Sequence, residues 1–380
     1  MTAMLLSGNH AAAWAARLAR PQVVPVYPIT PQTPILEKLT EFHAAGEFDA
    51  EVLTPESEHS VLAACIPASL AGARVFTATA SQGLLLMHEL LHYASGARAP
   101  IVMVNVNRTV ASPWAFWPDQ TDSLAQRDTG WVQYYTESAQ ESLDTVLHAF
   151  RVAEQVQLPV MVNHDAFYVS HALEPVDVPS QELVDGYLPP YAPAQRLDTG
   201  IGASWGNVVS QDMFCRHRQA LGDAMARTLA VALEADREWN ALTGRCHGLI
   251  ERYRCDGART VVVTMGSMCG TAREAIDLLR DAGQAVGLLK LRLFRPLPVQ
   301  ALRVALAGVP DVVVLDRNHS PGLGGVLHQE LRAALYGMDG APRIHGYLAG
   351  VGGVNVSPQK IAEIAQSAVG AAEVESLWAR

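Results

Sequence analysis

The chain has few cysteines, and none of them is spaced as metal or cluster ligands usually are. Cys65, Cys215, Cys246, Cys255 and Cys269 form no C-x-x-C pair, which excludes the common zinc and iron–sulfur spacings on this chain. Any iron–sulfur cluster that the protein uses must therefore sit on another chain. The scattered cysteines, together with an N-terminus that lacks a secretory apolar segment, predict a reducing, cytoplasmic location.

The chain also lacks basic runs and long apolar runs. Its formal net charge is −10, with 28 Lys and Arg residues against 38 Asp and Glu residues, which argues against a nucleic-acid partner. The apolar runs have the length of strands, so no membrane span is predicted. A chain of 380 residues, 49% hydrophobic and 17% charged, is typical of a globular protein with two or three domains.

What the sequence does contain is a repeated alternation of short apolar runs and longer helical stretches. This alternation predicts an α/β fold with a mostly parallel sheet covered by helices. The strands predicted in the first part span residues 22–27, 73–78, 101–106 and 158–163, and its helices include residues 59–70 and 83–93.

A second α/β alternation begins near residue 260. Its predicted strands span 260–267, 285–291 and 311–316, and its helices span 271–282 and 323–336. Between the two parts, the proline- and glycine-rich residues 175–210 predict a long connection over the first domain, and residues 211–242 predict a helix. We therefore predict a first domain over residues 1–245 and a smaller α/β domain over residues 246–380.

Thr30 is the first candidate site residue. The apolar run before it ends in Pro-Ile-Thr-Pro, which stops a strand and leaves the Thr30 hydroxyl in a turn. Ligands of open α/β sheets bind at the carboxyl ends of strands. The two prolines could instead only shape the connection between a strand and a helix, which is the commoner case for an isolated motif of this kind.

Glu58, in the segment Glu-Ser-Glu-His-Ser, is the second candidate. Acidic residues often stabilise a helix N-terminus, which is the ordinary interpretation of such a cluster. The residues after Glu58 are small and apolar, however, so the helix that it begins is predicted to be buried. A buried carboxylate requires a partner.

Ser81, Gln82 and Arg108 follow two further predicted strands. The segment Thr-Ala-Ser-Gln-Gly offers small side chains and a glycine where a strand meets a helix, so that backbone amides can approach a ligand closely. Arg108 would suit a carboxylate substrate, because its guanidinium donates two parallel hydrogen bonds. An ion pair of Arg108 with Asp119 or Asp122 is the alternative, at even odds.

Other motifs carry weaker signals. His88 and His92 lie four residues apart on a predicted helix, but no acidic third ligand accompanies them, so ordinary helix positions and no metal site are predicted. The glycine-rich segments 322–325 and 350–353 are interpreted as turns rather than phosphate loops.

The order of the motifs resembles a known family. YPITPQT, ESEHS, TATASQGLLLM, VNR, DQTDSLAQRDTGW and DAFYVSH, followed by VVVTMGS and LRLFRPLP, are similar to the α subunit of 2-oxoacid:ferredoxin oxidoreductases of the pyruvate synthase type. The resemblance covers nearly the whole chain. It implies a domain of the type that binds the pyrimidine of thiamine diphosphate, followed by a smaller domain like the C-terminal domain of transketolase.

The resemblance also implies cofactors and partners. Thiamine diphosphate would be shared with a β subunit that binds the diphosphate, while Mg²⁺ and iron–sulfur clusters would lie on partner chains. A γ subunit and a ferredoxin-like cluster subunit would complete the complex. Coenzyme A would be the co-substrate, and ferredoxin or an NAD-reducing partner would receive the electrons. The chain alone should be inactive.

Residue roles follow from the same resemblance. Glu58 falls on the glutamate expected to bond the pyrimidine N1′, and Ser81 and Gln82 fall in the cofactor-binding segment. Thr30 and Arg108 fall on positions expected to hold the 2-oxoacid. Pro67 departs from the family, whose members tend to carry a small flexible residue there.

The substrate expectation depends on two aromatic residues close behind Arg108. Trp114 and Phe116 replace aliphatic residues of pyruvate-type relatives, which favours an aryl 2-oxoacid such as phenylglyoxylate. An anchoring role at a subunit interface has equal weight. Two other functions stay open: a non-catalytic assembly subunit of such a complex, and a thiamine-diphosphate enzyme without redox clusters.

Overall fold

The computed structural model describes residues 1–193, 195–198 and 200–379. Its strands belong to a seven-stranded, a six-stranded and a two-stranded sheet. In chain order the strands are β1 (Thr2–Ser7), β2 (Val23–Pro25), β3 (Glu51–Leu53), β4 (Val75–Ala80), β5 (Ile101–Asn107), β6 (Val132–Thr136), β7 (Val160–Asp165), β8 (Leu173–Val178), β9 (Ile250–Tyr253), β10 (Thr260–Thr264), β11 (Val286–Leu291), β12 (Leu293–Arg295), β13 (Asp311–Asp316), β14 (Arg343–Ala349) and β15 (Leu377–Ala379).

Helices cover the sheets. They are α1 (Gly8–Ala19), α2 (Thr33–Ala44), α3 (Glu58–Leu70), α4 (Ser81–Leu86), α5 (His88–Gly96), α6 (Thr121–Leu124), α7 (Ala139–Val156), α8 (Gln181–Tyr187), α9 (Gln211–Thr243), α10 (Met268–Asp281), α11 (Val299–Leu306), α12 (Val326–Leu335) and α13 (Pro358–Ala368). No helix among these is long and apolar enough to cross a membrane.

The seven-stranded sheet has the order β12-β6-β7-β5-β4-β2-β3 and is parallel except for β12. Its central strands β4, β5 and β7 are buried along their whole length, as expected for parallel strands with helices on both faces. The six-stranded sheet has the order β15-β14-β13-β10-β11-β9, in which only β9 is antiparallel. The predicted α/β class with a second, smaller α/β domain is confirmed.

Serine side chains mark where several helices begin. The hydroxyl of each accepts a hydrogen bond from a main-chain N–H in the first turn, which satisfies one of the free donors at the helix start. These serines are Ser7, Ser57, Ser138, Ser180, Ser210 and Ser357. Helix α3 continues through Pro67 to Leu70, so the departure from the family at that residue does not end the helix.

The expected long connection is partly regular. Residues 175–210 were predicted to lack regular structure, but β8 (Leu173–Val178) extends into this range and pairs antiparallel with β1, and α8 follows it. The prediction missed β8 because the strand lies at an edge, with mostly exposed side chains and Pro175 within it. Proline is tolerated on edge strands, where its missing N–H faces solvent. A predicted single helix over 83–93 is instead two helices, α4 and α5, which meet at Met87.

The two large sheets are joined by the chain itself. After β11 of the six-stranded sheet, β12 pairs with β6 of the seven-stranded sheet. Asp165, at the carboxyl end of β7, accepts hydrogen bonds from the main-chain N and the hydroxyl of Ser267 at 2.9 and 2.7 Å, and from Arg317 Nη1 at 3.0 Å. The second domain is therefore fixed beside the carboxyl ends of the first domain's strands.

The same contact extends to residues 112–117, Ser-Pro-Trp-Ala-Phe-Trp, which we call the aromatic loop. Trp117 packs against Phe167, with ring centroids 5.1 Å apart. A Cβ added to Gly353 of the second domain would lie 2.3 Å from Trp117 Cβ, so the backbone there approaches the ring closely. The second domain thus supports one end of the aromatic loop.

Candidate active site

Three neighbouring strands bring the candidate residues to one edge of the sheet. In the order β5-β4-β2, Arg108 follows β5, Ser81 and Gln82 follow β4, and Thr30 lies in the turn after β2. The carboxyl ends of parallel strands meet at one edge, where ligands of open α/β sheets bind. The structure therefore brings together residues that are up to 78 positions apart in the chain.

Arg108 is at the centre of this group. Its Nη1 donates to the Thr30 carbonyl oxygen at 2.5 Å, and its Nη2 donates to Gln82 Oε1. The side chain is 5% exposed, and its Nε–H has no hydrogen-bond partner among the described residues. A buried guanidinium with an unused donor is suited to bind an anion, because leaving that donor unpaired costs free energy.

Arg108 does not form the alternative ion pair with Asp119 or Asp122. Within the described part of the chain, no carboxylate lies within salt-bridge distance of its guanidinium; Asp122 instead accepts from its main-chain N at 3.3 Å. Burial lowers the pKa of Arg108, and the negative charges of Asp122 and Glu58 act in the opposite direction. The Glu58 carboxylate thus stabilises the positive charge of the guanidinium from a distance, without forming an ion pair with it.

Glu58 is the first residue of α3 and lies just behind the N-terminal cap formed by Ser57. Its side chain is buried, with 9% exposed, and the hydrogen bonds of the described residues include none to its carboxylate. The prediction that Glu58 begins a helix and is itself buried is confirmed, although α3 is buried on one face only, with His59, Ala63 and Pro67 exposed. Because a buried carboxylate without a donor is unfavourable, a ligand that offers an N–H or O–H would satisfy it.

Gly83 allows the chain to approach Glu58 closely. A Cβ on Gly83 would lie 2.5 Å from Thr79 Oγ1 and 2.7 Å from Glu58 Oε1. Thr79 Oγ1 is itself buried without a partner among the described residues. Glu58, Thr79 and Gly83 therefore form a polar cradle that any larger residue at position 83 would fill.

Gly83→Ala is expected to displace the Glu58 carboxylate and to lower turnover and cofactor affinity by about 100-fold, since small misplacements at a reacting group have effects of this size. Gly96→Ala is the matched control, because a Cβ there meets no atom within 4 Å. Turnover and thiamine diphosphate content of the two purified variants check the prediction. Equal behaviour of both would show that the cradle is not needed.

The Ser81 side chain is buried and hydrogen-bonded within the protein, so it does not face a ligand. The residue is fully buried and has a φ of +48°, a left-handed conformation that is unfavourable for residues other than glycine. Its hydroxyl donates to the Thr109 carbonyl oxygen at 2.5 Å and also contacts Gln82 Oε1. Gln82 is partly exposed and is therefore the member of this pair that a ligand reaches.

Trp114 and Phe116 cover the guanidinium of Arg108. Its Cζ lies 4.8 Å from the Trp114 ring centroid and 5.9 Å from that of Phe116. The two rings pack edge to face with centroids 4.9 Å apart. Both remain about half exposed, at 49% and 47%, so they form a partly open aromatic wall at the entrance to the site.

Asp122 is the main site residue that sequence reasoning did not identify as such. It is fully buried in α6, and burial raises its pKa to about 7, although hydrogen bonds from Asn107, Ser123, Arg108 and Ser81 act in the opposite direction. The sequence signal was present, since an acidic residue in a short polar stretch after Arg108 was considered as an ion-pair partner. Its actual donors are three main-chain N–H groups and the side-chain amides of Asn105 and Asn107, and a sequence does not show that these groups meet.

The weaker motifs stay outside the site. His88 and His92 lie on α5 with their rings 5.2 Å apart, and no three His, Cys, Asp or Glu side chains within residues 1–193, 195–198 and 200–379 could hold a metal ion. Residues 322–325 lie in a turn closed by a bridge between Ser320 and Gly324, whereas Val351–Gly353 form a single turn of 3-10 helix. At the start of α12 the main-chain N–H groups of Leu327 and His328 already bond Asp316, at 2.8 and 3.0 Å.

Comparison with family models assigns both parts of the chain. Residues 14–236 match the model described as "Pyruvate flavodoxin/ferredoxin oxidoreductase, thiamine diP-bdg", and residues 258–361 match "Pyruvate:ferredoxin oxidoreductase core domain II". The first match alone covers more than half of the chain.

Two curated relatives are similar over nearly their whole length. Pyruvate synthase subunit PorA of Methanothermobacter thermautotrophicus is 48% identical over 366 residues, covering 96% of this chain and 94% of the relative. Ketoisovalerate oxidoreductase subunit VorA of Pyrococcus abyssi is 48% identical over 364 residues, covering 95% of this chain and 92% of the relative.

Solved structures show the same fold. A 2-oxoglutarate:ferredoxin oxidoreductase from Magnetococcus marinus, with 2-oxoglutarate, coenzyme A and succinyl-CoA bound, aligns with a TM-score of 0.72 at 20% identity; the alignment covers 97% of this chain and 65% of that one. A split gene transketolase, an inactive β4 tetramer, aligns with a TM-score of 0.57 at 13% identity over 96% of this chain and 97% of that one.

These matches confirm the predicted fold class, a thiamine-diphosphate-binding type of parallel-sheet domain followed by a smaller, transketolase-like α/β domain. The chain belongs to the pyruvate flavodoxin/ferredoxin oxidoreductase family, as an α subunit of the 2-oxoacid:ferredoxin oxidoreductase type.

Proposed function

We propose that this chain is the α subunit of a complex that oxidatively decarboxylates a 2-oxoacid to acyl-coenzyme A and carbon dioxide and passes the electrons to iron–sulfur clusters on partner chains. One observation carries the proposal. Glu58 is only 9% exposed and its carboxylate accepts no hydrogen bond from the described residues, and it lies at the same edge of the sheet as Arg108, a buried guanidinium with a free N–H. Such a pair provides an acid–base group and an anion-binding group in the same site.

The residues around Glu58 fit thiamine diphosphate. The carboxylate needs a donor, Thr79 Oγ1 has no partner, and the missing Cβ of Gly83 leaves space beside both. We propose that Glu58 accepts a hydrogen bond from the pyrimidine ring and that Gln82 contacts the cofactor, with Ser81 holding Gln82 in place. When bound, thiamine diphosphate supplies the electron sink for decarboxylation.

Arg108 and Thr30 are proposed to hold the 2-oxoacid. The Arg108 guanidinium would exchange its contacts with the Thr30 carbonyl and Gln82 for the substrate carboxylate, which accepts two parallel hydrogen bonds. The exposed Thr30 hydroxyl would donate a hydrogen bond to the substrate carbonyl oxygen. Glu58 would hold the proton that the cofactor exchanges during turnover.

The proposal includes partners that the chain does not replace. A β subunit would bind the diphosphate and Mg²⁺, and a γ subunit and a ferredoxin-like subunit would complete the complex. Only the assembled complex would be active. Ferredoxin or an NAD-reducing partner would accept the electrons in the cytoplasm. All five cysteines are free and no two of them pair, which supports clusters on other chains and a reducing compartment.

Two domains are part of the same proposal, over residues 1–245 and 246–380. Supporting this division, the two family matches end at residue 236 and begin at residue 258. Helix α9, which lies before the boundary, packs against α7 of the first domain.

For the substrate, we propose an aryl 2-oxoacid such as phenylglyoxylate, with pyruvate or a branched 2-oxoacid as the second candidate. The aromatic wall of Trp114 and Phe116 over Arg108 favours the first, because an aryl group can stack against it. The names of PorA and VorA favour the second. The side chains of Trp114 and Phe116 are about half exposed, which is also consistent with an anchoring role at a subunit interface.

Replacing Trp114 with Leu and Phe116 with Ile together is expected to lower the ratio of kcat/KM for phenylglyoxylate to kcat/KM for pyruvate by about tenfold, because the stacking surface is lost. Trp378→Leu, at a similarly exposed tryptophan in the second domain, is the control. Steady-state assays with both acids measure the ratio. An unchanged ratio would favour the anchoring role.

The proposed function is tested by purifying the tagged chain from its native host. Co-purifying chains, iron and thiamine diphosphate are measured, and dye reduction is assayed with pyruvate, 3-methyl-2-oxobutanoate and phenylglyoxylate. Substrate-dependent reduction by a complex that contains iron is expected. A complex that contains iron but reduces no dye would support a non-catalytic assembly subunit. Thiamine diphosphate without iron would support an enzyme without redox clusters.

A further inference from the structure

We propose that Asp122 is a positioning residue that fixes the distance and orientation between Arg108 and the Ser81–Gln82 segment. This inference rests on the proposed function, because it concerns the geometry of the same substrate site. Asp122 touches neither the Arg108 guanidinium nor the Gln82 side chain. It acts through the main chain on which they are carried.

The carboxylate of Asp122 is a junction of five donors. Its Oδ2 accepts from the main-chain N of Ser81 at 3.0 Å and from that of Arg108 at 3.3 Å. The remaining donors are Asn105 Nδ2 at 3.3 Å, Asn107 Nδ2 at 2.6 Å and the main-chain N of Ser123 at 2.7 Å. One oxygen atom thus joins the segment after β4 to the segment after β5.

The junction is placed where the backbone needs support. Ser81 has a positive φ of +48°, which costs free energy unless the surroundings fix it. The hydrogen bond from Ser81 N to Asp122, together with that from Ser81 Oγ to the Thr109 carbonyl, provides this support. Without it, the backbone would relax and Gln82 would move away from Arg108.

An acceptor-only group is required at position 122. All five neighbours donate N–H groups, and the ionised form of the carboxylate, which these hydrogen bonds favour against its burial, satisfies each of them. An asparagine of the same shape would turn its NH₂ towards donors on one side or the other. The two segments could then no longer share the same anchor, and the guanidinium would shift relative to Gln82.

The test uses the assembled complex with Asp122→Asn. We expect assembly to be retained, while the KM for the 2-oxoacid and the dissociation constant of oxamate, a non-reacting carboxylate analogue, both rise about ten- to a hundredfold, as expected when a hydrogen bond to a charged group is misplaced. Asp119→Asn is the matched control. Asp119 is also buried in the same segment, but its carboxylate accepts from the main-chain N of Thr121.

The outcomes separate this inference from the proposed function. Wild-type KM and oxamate affinity in an assembled Asp122→Asn complex would overturn the positioning role. An inactive wild-type complex would overturn the proposed function, whereas calorimetric binding of oxamate would still report on Asp122. If Asp122→Asn does not assemble, Asn107→Ala decides, because it removes one donor that orients Asp122. A severalfold rise of both constants supports the proposal, and unchanged constants reject it.

Discussion

Glu58→Gln is expected to lower kcat of the assembled complex by about 10²- to 10⁴-fold, the usual contribution of a positioned acid–base group. Glutamine has the same shape and keeps the hydrogen-bonding oxygen, but it cannot hold a proton in exchange with the cofactor. The Ser57 cap and α3 should persist, because neither depends on the Glu58 carboxylate. Loss of kcat with retained assembly and retained thiamine diphosphate is therefore the expected result.

The matched control for this substitution is Glu56→Gln. Glu56 lies two residues earlier, is exposed, and its carboxylate accepts from the hydroxyl of Ser60 rather than facing the cradle. Near-wild-type turnover is expected. Single-turnover decarboxylation measured for both variants isolates the chemical step from product release. Near-normal turnover of Glu58→Gln would remove the acid–base role that we assign to this residue.

The strands that carry the site could be predicted from the sequence because each is a short apolar run that ends in polar residues. Strand β5 is fully buried and ends at Asn107, directly before Arg108. This placement required only the rule that neighbouring parallel strands end at the same edge of a sheet. Strand β3 has only three residues, of which two are exposed, so it lacks the apolar run that revealed the equally short β2.

The parts of the site that were missed depend on contacts between distant segments. The role of Asp122 becomes visible only when α4, β5 and α6 are packed together, since its donors come from all three. The left-handed conformation of Ser81 could not be predicted from the sequence either, because serine is not a residue type that favours a positive φ. Local patterns therefore predicted which strand ends bear polar groups, whereas tertiary packing determines which group each one contacts.

The contact between the two domains was also beyond sequence reasoning, and it contains a buried cluster of charges. Lys290 of β11 is 3% exposed and donates to Glu141 of α7 at 2.8 Å. It also lies 3.2 Å from Glu137. Arg292 Nε is 3.2 Å from Glu141 Oε1, close enough for an ion pair, but the two atoms are not hydrogen-bonded. Lys290 is thus the cation that donates a hydrogen bond to Glu141, at Oε2, which also accepts from the main-chain N of Glu137.

Lys290→Met is expected to lower the free energy of unfolding by about 3–5 kcal/mol, because Glu141 and Glu137 both lose a buried cation and only Arg292 remains beside Glu141. The control is Lys360→Met. Lys360 is a surface residue 3.7 Å from Glu363, and such pairs contribute about 0–1 kcal/mol. Urea denaturation followed by far-UV circular dichroism measures both variants. Equal stability of both would show that the interdomain cluster does not stabilise the fold.

The effect of Lys290→Met should also depend on pH. Burial alone would raise the pKa of Glu141, but the charges of Lys290 and Arg292 outweigh it and lower the pKa to about 2. In the wild-type protein this pair therefore contributes stability above the unfolded pKa of about 4.3. Without Lys290 the folded-state pKa of Glu141 rises, because Arg292 alone offsets its burial, so that protonation relieves the excess negative charge of the cluster as the pH falls. The stability deficit of the variant should be larger at pH 8 than at pH 5; a deficit that is independent of pH would assign the loss to packing of the lysine stem rather than to its charge.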